Sequence, residues 1–446
     1  MNNKYTPIIG LEVHVELKTK SKMFCGCDAA YFGEKPNTHT CPICLGLPGA
    51  LPYPNKTAIE WCMKIALALN CRINQFSKFD RKNYFYPDLA KGYQISQYDL
   101  PFGYEGFLEV TRTKGSRETK KIRIRRVHME EDTGKLTHAN IEGENVSLID
   151  FNRSGVPLVE IVTEPDFDNE HQVVDYLQKL QKIVRYLAVS NADMEKGDMR
   201  LEPNISLRMP DEKNLPNYKV EVKNINSFRF VDKAIKFEID RQTKILDEGK
   251  TPAQETRGWN ETKNQTVSQR IKEEEHDYRY FPEPDIPPLT TSIEKIAELL
   301  HSIGELPDEK QARFEKIYKL PAIDAEILTR DKTTADFFDK AVKDGEGKIL
   351  PKEIANVIIN KKLDLTEFEP SEVVKMVLEG KKKDSVSPDI LSSLIATIIT
   401  ENPQAVIDYR NGKENAVMFL LGQVLRKAGK KLDATAVKND ILEALK

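Results

Sequence analysis

Lys120-Lys-Ile-Arg-Ile-Arg-Arg-Val-His-Met-Glu-Glu-Asp-Thr-Gly-Lys135 is the stretch from which the fold and chemistry of this chain are read. Its first half alternates cations with Ile122 and Ile124, the period of a strand with one buried face. Its second half sets His128, Glu130, Glu131 and Asp132 within five residues, and Thr133-Gly134 turns the chain. Carboxylates this close repel, and their pKa values rise unless a cation sits among them. A hard divalent ion such as Mg²⁺ takes oxygen ligands of this kind and commonly shares them with a substrate phosphate. The same residues also suit a solvated acidic turn, and both readings stand on this stretch alone.

A second alternating run begins near the N-terminus. Ile9, Leu11, Val13, Val15 and Leu17 alternate with Gly10, Glu12, His14 and Glu16. The polar side of that strand is a row of Glu12, His14 and Glu16, successive members ~6.6 Å apart. Such a row lines a metal or phosphate site, or else a water-facing sheet surface. Further alternating segments follow at Arg200–Arg208 and Val220–Ser227, with Glu202, Asn204, Glu221, Lys223 and Asn224 as polar positions. Ser147–Asp166 reads as two apolar strands around Asn152-Arg153-Ser154-Gly155, where Arg153 beside Ser-Gly is a candidate anion contact.

The chain has 446 residues, 39% hydrophobic and 31% charged, which suits a globular protein of roughly two to four domains. A net charge of -3 excludes a polycation, so nucleic-acid binding would rest on local patches. No apolar run approaches the ~20 residues of a membrane-spanning helix. The N-terminus lacks the apolar core of a signal peptide, so a cytoplasmic location is expected.

All six cysteines lie in the first 71 residues. Disulfides do not persist in a reducing cytosol. Cys25-Gly-Cys27 and Cys41-Pro-Ile-Cys44 are instead two close pairs, each able to clamp two corners of a tetrahedral zinc site. Four protein ligands close the site, so the zinc would be structural, stapling a loop too polar to bury a core. Cys62 and Cys71 fall in or beside a helical pattern and read as core.

Between Ser77 and Asp99, Lys78, Arg81 and Lys82 are interleaved with Phe79, Tyr84, Phe85, Tyr86 and Tyr93. Cations for phosphates and rings for a base can hold a nucleotide. The alternative is a rigid aromatic loop whose cations cover its outside. Between Arg112 and Arg126 there are eight basic residues and one acid, Glu118, around a Gly115-Ser116 hairpin turn. This is either a phosphate-backbone contact or a solvated face.

Helical periodicity predicts a helix over 170–187 and another from a Ser227 cap to Gly249. Pro282, Pro284, Pro287 and Pro288 place a domain boundary near residue 290. Beyond it the pattern is helical, with Val417, Leu420, Leu421, Val424, Val437, Ile441 and Leu445 as core positions. Arg426, Lys427, Lys430 and Lys431 suit either an RNA backbone or a helix dipole.

Ile9–Leu17, Lys78–Asp88, His128–Asp132 and Asp277-Tyr-Arg-Tyr-Phe-Pro-Glu-Pro-Asp285 together resemble the B-subunit family of aspartyl/glutamyl-tRNA amidotransferases, and the match spans essentially the whole chain. The resemblance implies an α+β architecture. A β-rich cradle akin to glutamine synthetase would occupy residues 1–290, a helical domain 291–400 and a tRNA-holding tail 401–446. It implies an ATP-dependent carbon–nitrogen ligase with glutamine as nitrogen donor. The side-chain carboxylate of Glu on tRNA(Gln), or Asp on tRNA(Asn), would be phosphorylated and then amidated. Ammonia would come from an A subunit, and a small C subunit would complete a heterotrimer. Glu12, His14 and Glu131 resemble the catalytic Mg²⁺-site residues, with Glu202, Glu221 and Asn204 facing the same site. The family usually carries Asp-Ala before the Asn204 position; here Glu202-Pro203 stands there. The helical region after Gly347 is shorter than usual in the family. Counting by twos from Ile124 puts Glu130 on its face, and a bulge at Arg125-Arg126 would exchange Glu130 with Glu131. Glu131 is the chosen ligand, with Glu130 left open. A non-catalytic tRNA-binding scaffold and a glutamine-synthetase-like enzyme acting on free amino acids are the competing readings.

Overall fold

A computed structural model describes residues 4–271, 278–361, 363–381, 388–428 and 433–445. Asp277 of the proline-rich motif, Lys430 and Lys431 lie outside the described residues. The chain forms two compact units, Met1–Gln311 with Arg330–Lys332, and Ala312–Thr329 with Thr333–Lys446.

The first unit is organised on a nine-stranded sheet. Its strands are β1 (Thr6–Glu16), β2 (Arg72–Ile73), β3 (Gly103–Thr111), β4 (Thr119–Glu131), β5 (Pro157–Thr163), β6 (Met199–Arg208), β7 (Val220–Lys223), β8 (Glu255–Asn260) and β9 (Gln265–Ile271). Their order across the sheet is β9-β8-β7-β6-β1-β5-β4-β3-β2. Every pairing is antiparallel except β7 with β8. β1, the most alternating strand, therefore lies at the centre.

Alternation decides the two faces. Ile9, Leu11, Val13 and Val15 of β1 join Ile122, Ile124, Val127 and Met129 of β4 in one buried cluster. Three helices close over that cluster: α1 (Lys56–Ala68), α2 (Glu170–Tyr186) and α3 (Phe228–Asp247). Cys62 and Ile65 of α1, Tyr176, Leu177 and Leu180 of α2, and Val231 and Ile235 of α3 complete it. Burying each such side chain contributes about 1.5–3 kcal/mol. The helices begin where side-chain oxygens can cap them: Asn55 accepts from the Ala58 N–H, Asn169 from Gln172 and Ser227 from Phe230. Cys62 and Cys71 are core residues, as read from their pattern.

The β3–β4 hairpin turns through Gly115 at φ 78°, a left-handed conformation that glycine adopts without strain. Its cations are largely paired within the fold. Arg112 meets Glu118, Lys120 meets Asp168, Arg123 meets Asp166 and Arg125 meets Glu164. Lys121 lies over the Phe107 ring, 3.4 Å from its centroid. This favours the solvated-face reading over a phosphate contact.

From Ile293 onward the described chain is helical. In the second unit, Ile395, Ile398, Val417, Leu420, Leu421, Val424, Val437, Ile441 and Leu445 form a separate core. Those on the last two helices are the positions read from the 3.6-residue pattern. Lys427 pairs with Glu401 at 2.7 Å. Among the described residues, no single helix is long and apolar enough to cross a membrane.

Gly106 of β3 packs against the end of α1. A Cβ there would meet the Leu69 carbonyl oxygen at 2.7 Å and the Cys71 sulfur closer still. Because the carbonyl belongs to backbone, Gly106→Ala should destabilise the chain by about 1–3 kcal/mol. A lowered urea midpoint at unchanged slope would show it; an unchanged midpoint would mean the helix end yields freely.

Candidate active site and metal centres

The side chains that β1 turns away from the helices are Glu12, His14 and Glu16. Antiparallel register then sets its neighbours. His14 stands opposite Glu160 of β5, and Glu160 stands opposite His128 of β4. On the other flank, Glu12 stands opposite Glu202 of β6, and Asn204 stands opposite Glu221 of β7. Opposed residues on one face have Cβ atoms about 4.5–5.5 Å apart. Two clusters result. His14, Glu130 and Glu160 offer ligand atoms within 4.8 Å of one another, and so do Glu12, Glu202 and Glu221. They sit two residues apart on the same strand.

Hydrogen bonds hold each cluster rigid. Ser96 Oγ donates to Glu130 Oε1 at 2.7 Å and Gln94 Nε2 to Glu130 Oε2 at 3.1 Å, while Lys82 Nζ lies 3.5 Å from Oε1. His128 Nε2 reaches Glu160 at 3.2 Å and Glu130 at 3.4 Å. In the second cluster, Asn204 donates to Glu12 at 3.0 Å and Thr256 to Glu221 at 2.8 Å. Lys223 pairs with Glu202 at 2.9 Å. The Glu202 carboxylate stands within the cluster.

The electrostatics follow from burial against charge. Burial raises the Glu12 carboxyl pKa, and the Glu160, Glu202 and Glu221 charges raise it further. Burial opposes ionisation of Glu160, but His128 and His14 hold its carboxyl well below the usual range. Burial also opposes the Glu130 charge, and Lys82 and His128 bring it down to about 2. Burial works against the His14 cation, yet Glu160, Glu202 and Glu130 push its pKa up to about 9. Two buried polar atoms at these clusters, His128 Nδ1 and Asn204 Oδ1, have no hydrogen-bond partner among the described residues. Carboxylates in excess and an idle amide oxygen suit a hard, oxygen-seeking cation.

Glu131 does not belong to this face, which corrects the choice made from sequence. Val162 of β5 pairs with Arg126, but Thr163 pairs with Ile124, so Arg125 is the extra residue of a bulge. The bulge is where the sequence allowed one. It carries Val127, Met129 and Glu131 onto the face of Ile122 and Ile124, and leaves Arg126, His128 and Glu130 beside His14. The Glu131 carboxylate instead takes a short contact from the Lys91 ammonium and accepts from the Ile95 N–H at 2.9 Å. There it lines a cleft of about 270 Å³ with Cys44, Arg81, Lys91 and Tyr93.

Of the candidate nucleotide contacts, Lys82 alone reaches the carboxylates. Lys78 is held between Asp80 at 2.6 Å and Asp99 at 2.8 Å. Arg81 is bidentate on Glu283 and stacks 4.4 Å from the Tyr93 ring centroid. Arg153 donates to the Thr133 and Gly134 carbonyls at 3.0 and 2.8 Å. Lys78, Arg81 and Arg153 are thus engaged by partners within the fold, and Arg81 lines the cleft beside Glu131. Tyr86 is exposed at the surface. A second cleft, of about 310 Å³, opens beside Glu12 and Asn204, walled by Ile8, Thr163, Ser206 and Tyr218. Sequence reading missed this cleft, and it also missed Glu160. The signal for Glu160 was a lone carboxylate inside Pro157-Leu-Val-Glu-Ile-Val-Thr163, since a charge in a doubly buried strand needs a partner.

The four cysteines converge. Their sulfurs lie within 4.8 Å of one another, and Cys41 Sγ is 3.8 Å from Cys44 Sγ. A tetrahedron of Zn–S bonds near 2.3 Å has edges of about 3.8 Å. The donor set therefore fits zinc.

In the metal-free chain, His14 carries a folded-state pKa raised from 6.5 to about 9. Its charge thus contributes stability that is full below about pH 6.5 and lost as pH rises through about 9. With chelator present, the gap in urea midpoint between the native chain and His14→Gln should narrow from pH 6 to pH 10. A constant gap would disprove the charged imidazole.

The family model for the GatB/GatE catalytic domain matches residues 7–297, and that for the GatB domain matches residues 346–445. The B subunit of the aspartyl/glutamyl-tRNA(Asn/Gln) amidotransferase of Thermotoga sp. (strain RQ2) is 45% identical over 95% of each chain. The proteins of the same name from Thermoanaerobacter sp. (strain X514) and Carboxydothermus hydrogenoformans are 44% and 42% identical over 99% of each chain. With these matches the chain belongs to the B-subunit family of aspartyl/glutamyl-tRNA(Asn/Gln) amidotransferases.

Proposed function

We propose that this chain carries the ATP-dependent step of a tRNA-dependent amidotransferase. The observation that carries the reading is the pair of oxygen-rich clusters side by side on β1, with a nucleoside-sized cleft beside one of them. A free carboxylate is a poor acyl donor because its leaving group would be oxide. Transfer of the γ-phosphoryl of ATP to the side-chain carboxylate of Glu on tRNA(Gln), or Asp on tRNA(Asn), gives an acyl phosphate and ADP. Ammonia then attacks the acyl carbon, phosphate leaves, and the nitrogen loses a proton to give the amide.

His14, Glu130 and Glu160 would hold one Mg²⁺, and Glu12, Glu202, Glu221 and Asn204 a second. Bound there, the ions would neutralise phosphate charge as it moves. Lys223 and Lys82 stand beside the clusters as cations for phosphate oxygens. The cleft along Ile8, Ser206 and Tyr218 would take the nucleoside. Lys78, Arg81 and Arg153 act by shaping the walls, and Tyr86 remains a surface candidate. Glu131, paired with Lys91, acts outside the metal clusters.

The sheet unit would be a cradle akin to glutamine synthetase, over residues 1–290. Residues 291–400 and 401–446 would be the helical and tRNA-holding tail parts. Ammonia would come from an A subunit acting on glutamine, with a C subunit completing a cytoplasmic heterotrimer. One zinc would be held by Cys25, Cys27, Cys41 and Cys44.

In a reconstituted heterotrimer, Glu130→Gln should lower tRNA-dependent ATP turnover on the order of 10²-fold while tRNA affinity is kept. Glu131→Gln should cost less turnover. Unchanged turnover in Glu130→Gln would defeat the reading, and full turnover without tRNA would favour an enzyme of free amino acids. Metal analysis should find roughly one zinc per chain, lost in Cys41→Ser or Cys44→Ser; a metal-poor native chain would remove the zinc claim.

A further inference from the structure

Lys22 is the most deeply buried cation among the described residues of the first unit, with a relative exposure of 0%. Its backbone is fixed on both sides. The Lys22 N–H donates to the Cys27 carbonyl at 3.0 Å, and the next N–H, of Met23, donates to the Gly155 carbonyl at 2.7 Å. The side chain runs under the cysteine loop. Its ammonium donates to the His39 carbonyl at 2.6 Å, the Phe151 carbonyl at 3.5 Å and Cys44 Sγ at 3.7 Å. Those three acceptors match its three protons. Two of them are neutral carbonyls. Among the described residues no carboxylate forms an ion pair with it, and Cys44 is the sole neighbour of these three that can carry negative charge.

A full positive charge in so dry a place is strongly unfavourable without an anion. Four thiolates around a doubly charged ion leave an anionic centre, equally unfavourable when buried. Each charge answers the other. We infer that Lys22 is the fixed counter-charge of the four-cysteine metal site, a positioning residue that sets how firmly the metal is retained. This rests on the zinc reading above. It goes beyond that reading by placing a residue that is no ligand in the site's charge balance. It also gives the ammonium different effects in the two states. In the loaded loop four obligatory thiolates outweigh the two charges of the ion, and the ammonium beside Cys44 offsets that excess. Because it also binds the Phe151 carbonyl, and Ser154 Oγ donates to the Cys44 carbonyl at 3.1 Å, metal retention is tied to the 151–155 loop.

The test compares the native full-length chain with Lys22→Met, which keeps the stem and drops the charge, and with Lys22→Gln, which keeps a donor without charge. Zinc loss to an excess of a colorimetric chelator and the melting temperature with and without zinc are measured. Both variants should lose zinc about tenfold faster or more. Their melting temperatures should fall more in the zinc-loaded state than in the stripped state. Zinc loss at the native rate in both variants overturns the inference, and so does native-like retention in Lys22→Gln alone. Equal destabilisation of loaded and stripped chains would leave Lys22 only a structural hydrogen-bond role and overturns it too. A native chain that holds no zinc sinks the zinc reading itself, whereas a zinc-loaded native chain with indifferent variants sinks only the role of Lys22.

Discussion

The constraint on which the first unit depends is the crowding of several carboxylates, from five strands, on one face of the sheet around β1. Glu130, Glu160 and Glu221 are buried there, with Glu12 and Glu202 half-buried beside them. Like charges so placed demand compensation, and the structure supplies a partial set: His14, His128, Lys82 and Lys223. The compensation is uneven. The Glu130 and Glu160 carboxyls are held down, while burial and neighbouring carboxylates raise Glu12. That imbalance is what motivates the proposed Mg²⁺ sites on this face.

Everything else in the sheet unit serves that face. The helices α1, α2 and α3 cover the opposite side, so apolar burial fixes which way each strand's side chains alternate. Once Val13 and Val15 are committed to the core, His14 has one direction left. The bulge at Arg125 then matters more than any single ligand. A shift of one residue reverses every side chain beyond it, and this one puts Glu130 rather than Glu131 beside His14. Glu131 becomes part of a different wall, ion-paired with Lys91 across a cleft that also touches Cys44.

The cysteine loop is joined to the same framework by polar contacts. Asn152 accepts from the His39 N–H and donates to the Lys35 carbonyl, and Lys22 bridges the His39 and Phe151 carbonyls. A loop with few apolar side chains thus gathers four sulfurs over one buried ammonium and is clamped by the 150–155 segment. The proposed zinc and the proposed Mg²⁺ clusters have different chemistries, but both answer a charge that the fold has taken out of water.

Period-two alternation made β1, β4 and β6 legible from sequence, and cap residues with 3.6-residue spacing made α2, α3 and the tail core legible, because those signals are local. The two cysteine pairs and the row of Glu12, His14 and Glu16 were legible for the same reason. What sequence could not decide was register. Whether β4 bulges, which of two adjacent glutamates turns toward His14, and that Glu160 stands between two histidines all depend on how strands distant in the chain are paired. The cations of 78–82 and Arg153 had the right chemistry for phosphate, but partners such as Glu283, Asp99 and the Thr133 carbonyl come from elsewhere in the chain and engage most of them. Composition along the chain set which groups were available; cross-strand geometry, which no local pattern encodes, set which of them meet.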